Sequence, residues 1–224
     1  MATPPSERAR VRRGPTKGHY DPAAITAVLD RGLLAHVAFA IDADIYCIPM
    51  LYARVGDDVY IHGSTASRAM RTLAAGVPAC LTVTIVDGLV LARSVFEHSA
   101  NYESLIAFGH FRPIAGAGKR LAALEAFTEQ LLPGRWSEVR KPSRQELKAT
   151  KLLAMTITEA SVKRRSGPPD DDDDTPDAAI DTWAGIIPLV ILFGTPVASP
   201  GLRAGTALNT SIRELLAKTE TEPK

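Results

Sequence analysis

The sequence predicts a mainly β domain with flanking helices (α+β), its strands antiparallel and curled into a closed or partly closed barrel of Greek-key-like order. Three observations carry that expectation. Residues 34–63 form three runs of alternating apolar and polar side chains, separated by the tight turns Asp42-Ala43-Asp44 and Gly56-Asp57-Asp58, which is a β-meander. The run ACLTVTIVDGLVLA at 79–92 alternates over a length that suits a barrel better than a flat sheet. Successive strands lack the intervening helices that a parallel sheet needs.

The elements follow in order. Asp21 caps a helix with Pro22 in its first turn, Ile25, Val28, Leu29 and Leu33 on one face, and Gly32 near its end. Strands are predicted at 34–41 and 45–55; Pro49 belongs at an edge or a bulge, because it removes a ladder donor. After the strand at 59–63 a helix runs to Gly76. Asp87-Gly88 turns or bulges the long strand, a polar segment follows Ala92, and 105–114 is the next strand. Helices are predicted at 119–132, with Leu121, Leu124, Phe127 and Leu131 on one face, and at 143–150, opened by a Ser143/Glu146 capping box. Strands at 152–162 and 186–193 and a short helix at 211–218 complete the chain.

The chain has 224 residues, 46% of them hydrophobic, which is enough for one domain at 19–195. Residues 1–18, rich in arginine, read as a disordered basic arm, 166–178 as an acidic flexible loop around the five aspartates Asp170 to Asp174, and 196–224 as a tail. A formal charge of +1 gives no electrostatic ground for a nucleic acid or membrane partner. Cys47 and Cys80 lie in apolar runs without CxxC spacing, so they read as small buried hydrophobes, unpaired in a reducing, cytoplasmic setting. The most apolar window, 185–194, is short and broken by Pro188, so no membrane span is expected.

Several chemistries are excluded by motif. His62, His98 and His110 are scattered, with no HExxH, so no metal site is expected. GxSxG, GxxxxGK[ST] and GxGxxG are all absent. The stretch VYIHGSTASRAMRTL at 59–73 is informative: a strand ends at Gly63-Ser64 and a helix begins among the hydroxyls of Ser64, Thr65 and Ser67 and the guanidinium of Arg68, with Arg71 on the same side. Unpaired backbone N–H groups and the positive helix end favour a phosphate there. Ser64 or Ser67 acting only as a helix cap is the plainer alternative.

These motifs, in order GHYDPAAI (18–25), YCIPM (46–50), YIHGSTASRAMRTL (60–73), LTVTIVDGLVLARS (81–94), HSANYES (98–104), LPGRW (132–136) and WAGIIPL (183–189), resemble the flavin-nucleotide-binding branch of the pyridoxamine 5′-phosphate oxidase-like proteins, and extend to nitroimidazole-resistance reductase relatives. The resemblance covers about residues 14–195. It implies an FMN-binding split β-barrel working as a homodimer, with FMN in a groove shared by two subunits. Ser67 and Arg68 would then hold the FMN phosphate, and His62, Gly63 and Ser64 would line the approach to it. Ile48, Pro49 and Met50 match the strand whose backbone meets the pyrimidine edge. Asn101, Tyr102 and Ser104 fall where the partner strand approaches the ring, and Trp183 where a C-terminal tryptophan closes the site. Where the oxidase branch has a lysine after Ser-Arg, this chain has Ala69, leaving Arg71 as the second cation. The expected function is an FMN-dependent oxidoreductase passing electrons from a reduced donor to a small-molecule acceptor. The alternatives are a non-catalytic carrier of flavin, haem or a deazaflavin, and a structural dimer without cofactor. No acid-base triad is needed where the flavin supplies the chemistry.

Overall fold

A computed structural model of the chain describes residues 3–170 and 176–221. In chain order these form β1 (Gly18–His19), α1 (Pro22–Arg31), β2 (Leu34–Ile41), β3 (Asp44–Val55), β4 (Asp58–Ser64), α2 (Arg68–Ala74), β5 (Pro78–Leu91), β6 (Ser99–His110) and β7 (Arg112–Pro113). They continue with α3 (Ala117–Leu131), α4 (Arg135–Glu138), α5 (Arg144–Ala149), β8 (Thr150–Thr156), β9 (Glu159–Arg165), β10 (Gly185–Pro188) and α6 (Thr210–Thr221). The strands are antiparallel in the order β1-β9-β6-β5-β2-β3-β4-β8-β7, and β10 pairs with β5.

That order dictates a barrel. β8 and β9 are separated in sequence only by Ile157 and Thr158, yet they lie toward opposite ends of the strand order. A two-residue link cannot cross a flat sheet of this width, so the sheet curls until its ends approach. β6 and β8 pack together there without a ladder between them, which leaves the barrel split. Ile157 N–H donates to the Asp57 carbonyl at 2.8 Å, securing the link against the β3–β4 turn.

The interior is filled by the inward residues of each strand, among them Val37, Ile61, Leu81, Leu105, Met155 and Val162, all at most 1% exposed. α1 closes one opening with Val28 and Leu29. The Tyr52 hydroxyl holds the end of that helix through the carbonyls of Leu29 at 2.7 Å and Gly32 at 2.9 Å. Only glycine fits at position 32, because a Cβ would lie 2.3 Å from Val83 Cγ1 and 2.7 Å from the Tyr52 hydroxyl. Fully burying a Val, Leu, Ile or Met side chain contributes about 1.5–3 kcal/mol, so the inward rows of the strands are the main stabilising element of the barrel.

Several expected boundaries move. β6 begins at Ser99, inside the segment expected to be irregular, because residues 99–110 pair with β5 along its whole length. The strand expected at 152–162 is two strands: β8 pairs with β4 and β9 with β6, so the chain must change partner at Ile157. The expected strand at 186–193 is strand only over Gly185–Pro188, because the ladder ends where Pro188 stands opposite Gly88 at the bulge of β5. Asp87-Gly88 bulges β5 rather than turning it. α4 was not foreseen, being four residues long. Pro49 stands where β3 pairs only with β2, since β4 joins β3 from Tyr52 onward, so the proline does lie on an edge. Phe111 is 1% exposed in the core, whereas Trp183 is 63% exposed. Cys47 and Cys80 are free but not buried, Cys47 being exposed and Cys80 half-buried, because alternation turns Cys47 outward beside the inward Ile48; both stand in register with Ala38 from opposite sides, two strand spacings or ~9.6 Å apart and out of disulfide reach. Of the acidic stretch, residues 171–175 lie outside the described residues.

The N-terminal segment is docked rather than disordered over its described residues. Ala9 is buried, Arg8 lies over the Phe108 ring at 4.6 Å, and the Glu159 carboxylate accepts from Ser6 and from Arg8, whose Nε is 2.7 Å away. The Arg8 and Ser6 hydrogen bonds hold the Glu159 carboxyl at a pKa of about 2, against an ordinary 4.5. A depressed carboxylate pKa means that this docking is fully present above pH 4.5 and is lost as pH falls through about 2. Glu159→Gln should therefore free the arm at neutral pH and expose Arg8, Arg10, Arg12 and Arg13 to trypsin; digestion as slow as in the wild type would show that other contacts hold it.

Candidate functional site

Two regions gather the residues singled out in sequence, and they lie on different faces of β3 and β4. The first is the junction of β4 with α2. Gly63 permits the close approach of α2, since a Cβ there would sit 2.8 Å from Met70 Cγ. Ser67 is the helix N-cap: its Oγ accepts from Met70 N–H at 3.4 Å, while Ser64 Oγ accepts from Ala66 N–H at 3.2 Å. Each hydroxyl thus keeps its own O–H as a donor. Arg71 donates to the Ala66 carbonyl at 2.7 Å, bracing the turn. Arg68 is exposed and lies over the Tyr46 ring at 4.6 Å, with no ion-pair partner among the described residues. Tyr46 in turn stacks on Phe39 at 5.9 Å. α2 has only seven residues, so its dipole is small and the side-chain donors dominate this junction.

Tyr46 leads from the junction to the unpaired half of β3. Over residues 44–51, β3 has β2 on one side and no strand on the other, so backbone groups near Ile48, Pro49 and Met50 are open along that edge. Ile48 and Met50 pack inward against the core, and Pro49 faces out. Asn101, Tyr102 and Ser104 stand on β6, three strands from β3, on the order of 14 Å away. Within one chain they do not join the β3 edge. Asn101 is 8% exposed and its Oδ1 accepts from Arg165 at 2.7 Å; Ser104 Oγ lies 3.4 Å from Thr84 Oγ1. Trp183 rests its ring on Gly185, where a Cβ would come within 2.9 Å.

The second region is a cavity of about 810 Å³ between the outer side of β3–β4 and α3, α4 and the C-terminal segment. His62 belongs here, with Leu51, Tyr52, Phe127, Leu131 and Trp136 among its walls, and none of Ser64, Ser67, Arg68 or Arg71 lines it. Strand alternation explains the separation: Ile61 points into the core, and His62 points the other way. The imidazole meets the Phe127 ring edge-on at 4.5 Å and 76°. Its area is accessible, but accessible into an apolar cavity, and that burial lowers its pKa. Arg135 and Arg140 line the same space, each with a carboxylate neighbour, Glu138 at 3.3 Å and Glu146 at 2.6 Å respectively. The Glu138 carboxylate also accepts from the backbone N–H and hydroxyl of Ser211, which ties α6 to α4 beside the cavity; Phe193 and Leu215 complete it.

Sequence reasoning missed Tyr46 as the platform for Arg68 and Phe127 as the partner of His62. Tyr46 was visible only as one aromatic in a strand, and Phe127 only as one member of an apolar helix face. Among the described residues no group of His, Cys, Asp and Glu is placed to hold a metal ion by itself, and no helix is long and apolar enough to cross a membrane.

The family described as pyridoxamine 5′-phosphate oxidase matches residues 21–164. A solved FAD and heme binding protein from Mycobacterium smegmatis is 42% identical, over 89% of this chain and 97% of that one, with a TM-score of 0.84. The flavocytochrome Anf3 from Azotobacter vinelandii is 34% identical, over 95% and 98% of the two chains, with a TM-score of 0.88. A candidate 5-nitroimidazole antibiotic resistance protein from Bacteroides thetaiotaomicron shares the fold at 16% identity, over 65% and 85%, with a TM-score of 0.56. No curated protein matches the chain.

His62 gives a pH dependence with a defined sign. Its lowered pKa means the folded state resists protonation, so stability is fully present above the unfolded value of ~6.5 and declines as pH falls below it. His62→Phe should flatten the loss of thermal stability on acidification below pH ~6.5. An unchanged pH profile in the variant would place the imidazole in bulk-like water.

Proposed function

The chain belongs to the pyridoxamine 5′-phosphate oxidase family, and from that premise we propose that it is a flavin-binding redox protein, a homodimer that passes electrons between a reduced donor and a small-molecule acceptor. The observation that carries this reading is the open half of β3 running into the junction of Ser64, Ser67 and Arg68. The donor set fits a flavin nucleotide. Two hydroxyls with free O–H groups and a guanidinium without a counter-ion among the described residues suit a phosphate, and the open β3 edge suits the hydrogen-bonding rim of an isoalloxazine. Bound there, the flavin supplies hydride or single-electron transfer, and the chain supplies position and electrostatics.

The phosphate and ring are common to FMN, expected from sequence, and to FAD, bound by the Mycobacterium smegmatis relative. FMN is the form this junction answers to, because a terminal phosphate dianion matches exposed Arg68. The dimer is supported by the distance between the β3 edge and Asn101, Tyr102 and Ser104, which a second copy would bridge. It is supported also by exposed apolar side chains at Trp183, Ile187, Leu189, Ile191, Leu192 and Phe193.

A second reading, haem binding, is favoured by the cavity at His62. Its walls are mostly apolar, burial lowers the pKa of the histidine that lines it and so favours the neutral imidazole a metal ligand must be, and two arginines line it, each beside a glutamate that a propionate would have to displace or share. The residues therefore fit a haem, with His62 as the group that would hold the iron and Arg135 and Arg140 as partners for propionates. The two solved relatives named above at 42% and 34% identity carry heme or flavocytochrome in their descriptions. Electron exchange with one-electron partners is the chemistry a haem would add.

Purified protein should be yellow, should release flavin on denaturation, and should scatter light as a dimer; a colourless protein that takes up no added flavin, or a monomer at micromolar concentration, would reject the respective claim. Arg68→Ala should weaken FMN by about 10- to 100-fold, the loss of one charge-assisted contact at roughly 1.5–3 kcal/mol, and riboflavin far less. Equal losses for both would remove Arg68 from the phosphate site. His62→Ala should abolish the haem Soret band on reconstitution while leaving flavin content intact.

A further inference from the structure

The junction of β4 with α2 holds two arginines, and the structure sets them differently. Arg71 donates to the Ala66 carbonyl at 2.7 Å, so its guanidinium is committed to the turn. Arg68, exposed at the first position of α2, lies over the Tyr46 ring with its Cζ 4.6 Å from the centroid, and none of its N–H groups has an oxygen acceptor among the described residues. What it rests on is an aromatic face.

That face is itself fixed from the core. Tyr46 on β3 stands directly opposite Phe39 on β2 in the strand register, and the two rings stack at 5.9 Å and 20°. Phe39 is buried in the barrel core, and Tyr46 packs half-buried against the same core. A cross-strand aromatic pair holds its rings in place without help from the helix, so the platform exists independently of Arg68. A line of contacts therefore runs from the core through Phe39 and Tyr46 to the guanidinium. The Tyr46 hydroxyl has no hydrogen-bond partner among the described residues, so the ring is what this side chain offers the junction.

We propose that Tyr46 is the positioning residue that presents Arg68 to the phosphate of a flavin nucleotide, a role that rests on the flavin-binding reading above. A surface arginine loses rotamer freedom when it takes up an anion, and a ring that already holds it lowers that loss. A carboxylate would hold it as well, but would compete with the arriving phosphate for the same donors. An aromatic face attracts the cation through its quadrupole and leaves the guanidinium fork for phosphate oxygens. Platform and anion can thus be served together. The two arginines have separate roles: Arg71 shapes the turn, and Arg68 is held out for the ligand by Tyr46.

Titration of the full-length protein, freed of flavin, with FMN, FAD and riboflavin tests the role by flavin fluorescence, with thermal unfolding as the folding control. Tyr46→Leu keeps apolar bulk against Phe39 and removes the aromatic face. It should weaken the phosphate-bearing flavins by about two- to fivefold, the effect of losing one exposed cation–π contact, and leave riboflavin at its wild-type affinity. Tyr46→Phe should bind as the wild type does, since it keeps the ring. In an Arg68→Ala background, Tyr46→Leu should have no further effect, because the residue acts through Arg68. A loss confined to FMN or to FAD names the nucleotide whose phosphate is held, and either retains the role. Equal loss for all three flavins in Tyr46→Leu, wild-type or tighter nucleotide binding, Tyr46→Phe as weak as Tyr46→Leu, or additive losses in the double variant overturns the proposal. Arg68→Ala weakening riboflavin as much as the nucleotides removes the phosphate reading and this inference with it, whereas a phosphate-selective loss in Arg68→Ala beside none in Tyr46→Leu removes Tyr46 alone.

Discussion

The change of partner halfway along β3 is the constraint on which the rest of this structure depends. Up to Leu51 the strand pairs with β2, and from Tyr52 it pairs with β4, so each half leaves one side open. A strand paired on both sides along its whole length would present neither an edge to a ligand nor a shoulder for α3. Tyr52 sits at the changeover and is itself tied to the end of α1 through the Leu29 and Gly32 carbonyls. The position of the helix that closes the barrel is thereby fixed by the same residue that marks the split.

Strand alternation then distributes chemistry between the two faces. Ile48 and Met50 face the core and leave their backbone on the open edge, while Leu51 and His62 face outward into the apolar cavity. One β-meander therefore serves a polar junction at the start of α2 and an apolar chamber without either intruding on the other. Burial within the chamber lowers the pKa of the imidazole, and the exposed junction leaves Arg68 in solvent over the Tyr46 ring.

Much of this was legible from local pattern. Alternation located β2, β3, β4 and β5, Ser143 and Glu146 form the capping box their spacing predicts, and Asp21 caps α1. Pro49 reported its edge because a missing N–H is a local fact. What alternation cannot convey is which strand lies alongside. An apolar run from 152 to 162 reads the same whether it is one strand or two, and only the partners β4 and β6 decide. His62 was placed near the phosphate junction because it is adjacent in sequence to Gly63, but adjacent strand residues face opposite ways, and the wall opposite His62 comes from Phe127, far along the chain. The N-terminal segment differs from expectation for a related reason: its composition is that of a disordered arm, and the groups it docks on, Glu159, Phe108 and Tyr20, lie outside the segment, where composition cannot locate them.

The short β8–β9 link also governs when the barrel can form. β4 waits for a partner, β8, that begins at Thr150 and pairs Ser64 with Thr150 and Asp58 with Thr156. Contacts so distant in sequence slow folding, because loop closure must precede any gain from pairing. During synthesis the meander and α1 can assemble early, but the far side of β4 stays unpaired until residues past 156 have left the ribosome. An unpaired strand edge of this kind is a template for association with another chain. The protein thus passes through a stage in which its fold is nearly complete and its adhesive edge is still uncovered, and the rate at which the C-terminal third is synthesised sets how long that stage lasts.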